Sequence, residues 1–258
     1  MTECQKIVFE LLIELDRICR KNNIQYALGY GSALGILNFN GFIPWDDDAD
    51  VIMTKENWNK FIIACKNDLD NNKFVLDCFE NNPKYDIFIP AKLKRKNTFV
   101  KEEFISELFV SKTKDRGIYL DIQVITPTLD DTTYLKTMWQ NCFRAFFNAP
   151  TRMFTKKKYK QRLKALEADY LANNINGTIY RQTPITGAGV FVEKNRNGVP
   201  VDDIFPFKEY TFEGKKFYSV NNLKNYCIIL YGEDCVYPEK YPDKKKKTHI
   251  KKYIINKE

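Results

Sequence analysis

The stretch GSALGILNFNGFIPWDDDADVIM, Gly31 to Met53, decides how this chain is read. It opens on a Gly-Ser pair, runs through an apolar segment and a loop, NGFIPW, and then sets Asp46, Asp47, Asp48 and Asp50 within five positions. The last six residues, DADVIM, alternate polar and apolar as a half-buried strand does. Upstream, IQYALGY (24–30) has strand composition, so the local order is strand, Gly-Ser turn, short helix (32–38), loop, strand. Carboxylates this close repel one another and resist ionisation unless a cation compensates them.

Three roles compete for the acidic run. A calcium loop would need Gly at its sixth position and a bidentate Glu at its twelfth, and this chain has Val51 and Asn57 there. Capping of backbone amides at a loop-to-strand junction accounts for one or two of the aspartates but not four. A Mg²⁺ site for phosphate chemistry accounts for more, because Mg²⁺ takes hard oxygen ligands and shares them with phosphates. On a strand, residues two apart share a face, which puts Asp48 and Asp50 together, with Asp46 if the strand begins early. A third carboxylate is expected from a neighbouring strand. Asp121 in IYLDIQV fits, since a charge between Leu120 and Ile122 is costly without a partner. A strand that ends in Gly31-Ser32 and opens a helix also presents unpaired N–H groups to an anion.

Further out, residues 3–21 show helical spacing at Ile7, Val8, Leu11, Leu12, Leu15 and Ile18, and residues 55–72 form a second amphipathic pattern. Strands are expected at 74–79, 85–95 and 118–125, which makes the first half an α/β pattern around a mixed sheet. The second half reads as more helical, at 132–149, 157–174 and 222–232, with a β-like passage at 209–220. Gly232 suits a C-cap. No repeat and no flexible linker divides residues 1–258, so one unit is expected, with a core over 1–130 and a mostly helical region over 131–258.

Composition narrows the function. The chain has 258 residues, 44% hydrophobic and 14% aromatic, which is globular. Charges interrupt the N-terminal apolar run, and no segment is apolar for long enough to span a bilayer. Seven scattered cysteines without a CxxC pair read as reduced thiols of a cytoplasmic protein. A single histidine, His249, leaves no material for a His-rich zinc site or a Ser-His-Asp triad. The formal charge of +8 gathers in 155–164 and 242–252. Such lysine runs suit nucleic acid, an anionic membrane surface or a phosphorylated substrate, or serve as a solvated face.

Strand, Gly-Ser, helix and then D-x-D on the next strand resembles the nucleotidyltransferase superfamily signature. The whole stretch from Gly31 to Met53 resembles, more closely, the signature of the LicD family of phosphotransferases, relatives of the fukutin-type proteins. Further matches lie in FIPAKLKRKNT (88–98), YLDIQVI (119–125), FEGKKF (212–217) and YGEDCVYPE (231–239), followed by His249. The resemblance implies an α/β (α+β) fold with a nucleotidyltransferase-like mixed sheet flanked by helices. It implies Asp48, Asp50 and Asp121 as catalytic metal ligands for Mg²⁺ or Mn²⁺. Gly31 and Ser32 would hold a donor phosphate, Lys92 would neutralise phosphate charge, and Asp46 would lie on the substrate side.

The implied reaction moves phosphocholine from CDP-choline onto a sugar hydroxyl of a surface glycan, such as lipopolysaccharide or teichoic acid, or of its lipid-linked precursor. Asp121 would deprotonate the nucleophile. The partners implied are a CDP-linked alcohol and a glycan acceptor, with no nucleic acid, and the lysine tail is a candidate for peripheral contact with an anionic membrane. Nucleotidyl transfer to the α-phosphate, D-x-D glycosyl transfer and non-enzymatic nucleic-acid binding are the rival functions. Trp45, Tyr30, Tyr119 and Phe88 are candidate aromatic faces for a quaternary ammonium. Asn38 stands where many family members carry an arginine, so a basic group is expected to be missing near the site.

Overall fold

The computed structural model describes residues 1–81, 91–102, 116–130, 132, 134–137, 139–140, 156–183, 198–238 and 250–255. Helix α1 (Glu3–Lys21) begins at a capping box, in which the Gln5 N–H donates to Thr2 Oγ1 and the Thr2 N–H donates to Gln5 Oε1. Its buried stripe, Leu11, Leu12, Leu15 and Ile18, is the one its spacing predicts. Helix α2 is Tyr30–Phe39, and α3 is Lys55–Asp68, capped by the Thr54 hydroxyl. Helix α4 (Lys156–Asn173), the single turn α5 (Val201–Ile204) and α6 (Leu223–Tyr231) follow, and α6 stops at Gly232 with φ 86°.

The main sheet is mixed, as expected. Its strands are β1 (Ala27–Leu28), β2 (Asp50–Thr54), β3 (Phe74–Asp77), β4 (Ala91–Arg95) and β6 (Tyr119–Thr128) from the first half. To these the second half adds β7 (Ile179–Gln182), β8 (Val199–Pro200), β9 (Lys208–Phe212) and β10 (Lys215–Ser219). The order is β3-β4-β6-β2-β1-β10-β9, and β7 pairs with the C-terminal part of β6 and with β8. Strands β2 and β6 run parallel, with Asp50 opposite Asp121 and Ile52 opposite Gln123. Strand β5 (Thr98–Glu102) pairs with β11 (Ile250–Ile255) in a separate ribbon.

Several bounds differ from the sequence reading. Strand β1 covers two residues of the seven expected, because Gly29 already serves as the N-cap of α2. The expected strand over 85–95 is described only at 91–95, and most of the helix expected at 132–149 lies outside the described residues. So do Phe88, His249 and the lysines of 242–249. The 209–220 passage is the β9–β10 hairpin, and β10 pairs in parallel with β1 at Leu28 and Ser219. Its turn docks on the acidic stretch: Phe42 N–H donates to Glu213 Oε1 at 3.0 Å and Glu213 N–H to the Asn40 carbonyl at 2.9 Å.

Val51, Met53, Ile122 and Val124 share one face of the β2–β6 pair, and α1 and α3 pack on these strands. Asp50, Asp121 and Gln123 therefore project from the other face. None of the described helices is long and apolar enough to cross a membrane.

The six cysteines among the described residues are all buried and free. Burial pushes the Cys4 and Cys65 thiols up to about 12 from an ordinary 9.0 and raises the others. Ellman's reagent at pH 8 is expected to reach none of these six in the native protein and all of them once it is denatured. The same shifts set a sign for stability. The folded state keeps protons that unfolded thiols release, so this contribution is whole below about 8.5 and is lost as pH rises towards about 12. Chemical denaturation at pH 7.5 and pH 10 measures the fall.

Candidate active site

Three segments meet on the open side of β2 and β6. The first is the start of α2. Gly29 is extended (φ −120°, ψ −177°), and Tyr30 enters the helix with φ 44°, a left-handed conformation that is strained for a bulky residue. The Tyr30 N–H donates to Tyr226 Oη at 3.2 Å, which anchors this turn to α6. Gly31 and Ser32 therefore both lie inside the first helical turn, where the sequence predicts a helix only from residue 32. Their N–H groups belong to the four that no intrahelical carbonyl can satisfy. Ser32 is buried, and its Oγ accepts the Asp50 N–H at 2.9 Å, tying α2 to β2.

The second segment is the acidic loop. The Asp46 N–H donates to the Ile43 carbonyl, so the chain bends after Trp45 instead of running straight into the strand. The buried Gln5 side chain holds this bend from below, donating to the carbonyls of Asp46 at 2.9 Å and Ile43 at 3.3 Å. Asp46, Asp47 and Asp48 each bring a carboxylate oxygen within 4.8 Å of the others. Strand alternation does not predict that gathering, and the bend produces it. Asp48 precedes β2, whose first residue is Asp50, although the Asp121 N–H already bonds to the Ala49 carbonyl.

The third segment is the β4–β6 pair. Lys92 sits opposite Asp121 in register, is buried, and places Nζ 2.9 Å from Asp121 Oδ1. The same ammonium lies 3.1 Å from the centre of the Tyr119 ring. Lys92 thus meets a carboxylate of the site and an aromatic face at once, and the Tyr119 ring already carries a cation. Tyr30 is buried beside Tyr226, and Trp45 is half-buried against Phe39. Among the described aromatic candidates, Trp45 retains the most exposed ring.

Burial pushes the Asp48 carboxyl well above the usual carboxylate range, and the charges of Asp46, Asp50, Asp121 and Asp47 add to it in that order. Asp50 and Asp121 thus lie near enough to Asp48, with Asp46 and Asp47, to oppose its ionisation. An all-oxygen set that penalises its own ionisation fits a hard divalent cation such as Mg²⁺ or Mn²⁺, which would reverse that penalty. Asp46, Asp47 and Asp48, whose oxygens lie within 4.8 Å of one another, could share such an ion, and Asp50 and Asp121 could add ligands from β2 and β6.

Gly31 floors the gap between the loop and the strand. A Cβ there would lie 3.2 Å from Asp46 Oδ2 and 3.6 Å from Asp50 Oδ2. The position is helical, so its side-chain hydrogen keeps space open and is not needed for backbone freedom. Gly31→Ala is expected to hold or raise stability, since alanine gains about 1 kcal/mol over glycine within a helix. Turnover should nevertheless fall at least about tenfold, because a 1 Å misplacement near reacting groups costs that much or more. Melting curves beside initial rates test the opposed signs. Gly35 has a different reason, since a Cβ there would meet the Gly41 carbonyl oxygen at 2.3 Å as the loop folds back.

Asn38 lies in the last turn of α2, two turns from Gly31, and donates to the Cys235 carbonyl at 2.8 Å. Its side chain ties α2 to the segment after α6. Three residues of the site were not singled out in the sequence. Gln5 is legible only as half of a capping box, and Tyr226 only as an apolar helix position. Gln123 lies within the YLDIQVI match, but its contact, Nε2 donating to Asp50 Oδ1 at 2.9 Å, depends on the β2–β6 register.

Residues 23–154, just over half of the chain, match the family described as LicD/FKTN/FKRP, nucleotidyltransferase domain, and the chain belongs to the LicD family. It is also similar to the lipopolysaccharide cholinephosphotransferase LicD of Haemophilus influenzae, with 36% identity over 62 residues. That alignment spans 24% of this chain and 23% of the relative.

Proposed function

We propose that this chain is a transferase that moves phosphocholine from CDP-choline onto a sugar hydroxyl of a cell-surface glycan or its lipid-linked precursor, releasing CMP. The observation that carries this reading is the gathering of Asp46, Asp47 and Asp48, with carboxylate oxygens within 4.8 Å of one another, beside Gly31 at the start of α2. Family membership and the relative's name support the transferred group. The reading sets the reaction in the cytoplasm.

A Mg²⁺ or Mn²⁺ ion held by Asp48, Asp50 and Asp121 would supply Lewis-acid neutralisation of the donor phosphates. The chain's own groups supply the rest. The N–H groups at the start of α2 orient the donor phosphate, with Asp46 on the same side of the gap. Lys92 pairs with Asp121 at Oδ1, and in this reading Asp121 takes up the acceptor hydroxyl proton through Oδ2. Trp45, half-buried and the least covered of the described aromatic candidates, is the one best placed for a choline headgroup.

The test is incubation with CDP-choline, other CDP-alcohols, CTP and UDP-sugars in Mg²⁺, followed by mass spectrometry of the released nucleotide. CMP from CDP-choline with a glycan acceptor supports the reading. Pyrophosphate from CTP would replace it with nucleotidyl transfer, UDP with glycosyl transfer, and salt-dependent RNA binding without turnover with a nucleic-acid binder.

A further inference from the structure

Gln123 stands beside the acidic centre in a manner that its motif does not explain. It follows Asp121 by two residues on β6, so both project from the same face, and it lies opposite Ile52 in the parallel pairing with β2. It is 5% exposed. Its Nε2 donates to Asp50 Oδ1 at 2.9 Å. A carboxylate only accepts, so this contact fixes which end of the amide is nitrogen. The other end, Oε1, is buried and meets no donor among the described residues. A buried carbonyl without a donor is unfavourable.

Asp50 is thereby held at two points, and its second carboxylate oxygen is left facing the site. Its N–H is bound by Ser32 Oγ, its Oδ1 receives Gln123, and its Oδ2 faces Gly31. We propose that Gln123 is a positioning residue that locks the Asp50 carboxylate with Oδ2 turned to the Gly31 gap, and whose Oε1 accepts a hydrogen bond from a water on the cation held there. The proposal rests on the reading of Asp48, Asp50 and Asp121 as cation ligands. Outer partners of this kind orient a ligand and sharpen affinity without touching the ion.

Mn²⁺ binding to the full chain, followed by electron paramagnetic resonance with and without CDP, tests it. Wild type is compared with Asp50→Asn, Gln123→Met and Gln123→Leu, and melting curves confirm that each variant folds. Both Gln123 variants are expected to bind Mn²⁺ about 10- to 100-fold more weakly than wild type. Their loss of turnover should be recovered by raising Mn²⁺ in proportion, while Asp50→Asn is not rescued. A solely structural role would lower stability and leave Mn²⁺ affinity unchanged. If wild type binds Mn²⁺, Asp50→Asn does not, and folded Gln123 variants match wild type within twofold, the Gln123 proposal is overturned and the ligand reading stands. No Mn²⁺ binding by wild type, even with CDP, overturns both.

Discussion

Asp48→Asn and Asp50→Asn are each expected to lower turnover by about three orders of magnitude or more while leaving the fold intact. The substitution keeps side-chain volume, and the Asp50 N–H bond to Ser32 Oγ depends only on the backbone of residue 50. The two variants should part company in stability. Asp48 is the carboxyl that burial and four neighbouring aspartates disfavour as an anion. Replacing it with a neutral amide removes repulsion, so Asp48→Asn is expected to melt higher than wild type in EDTA. Adding Mg²⁺ or Mn²⁺ should stabilise wild type and reverse that ranking, because a ligand that binds only the folded state raises its stability by mass action. CMP release and paired melts with and without metal measure both effects. Near-wild-type turnover by either variant would refute the ligand assignment.

Lys94→Met is expected to cost about 3–5 kcal/mol of stability, a cost with an origin separate from the chemistry. Lys94 on β4 is 1% exposed and its Nζ lies 2.7 Å from Asp77 Oδ2 on β3. Removing the ammonium strands a buried carboxylate, and low surrounding polarity makes an uncompensated charge expensive. Replacing both partners, Lys94→Met with Asp77→Leu, should return most of that loss, since the desolvation of both charges disappears together. Denaturant titration of the two single variants and the double variant gives the coupling. A Lys94→Met loss below about 1 kcal/mol would show that the pair is hydrated in solution.

Two lysines separated by one residue on β4 therefore have distinct duties. Lys92 and Lys94 share a face, yet Lys92 reaches towards β6 and Asp121, and Lys94 towards β3 and Asp77. In the sequence KLK they are equivalent, and the difference arises from which neighbouring strand supplies the nearer carboxylate. The same limit explains Gln123, whose partner lies 73 positions away. It also explains Glu213, which reaches Phe42 across 171 positions from the hairpin turn.

Much was legible without coordinates because its signals are local. Helix α1 and its end at Lys21, the C-cap at Gly232, the β character of 209–220 and the strand alternation around Asp50 and Asp121 all follow from periodicity, caps and alternation. These depend on side-chain spacing within a few residues, and bonds to near neighbours fix them regardless of the rest of the chain. The entry of α2 at a left-handed Tyr30, the bend that gathers Asp46 to Asp48, and the grip of Gln123 on Asp50 do not follow in that way. Each is imposed by groups distant in sequence: Tyr226 on α6, Gln5 on α1, and the parallel register of β2 with β6. The chain's local chemistry chose the carboxylates, and long-range packing set where their oxygens point.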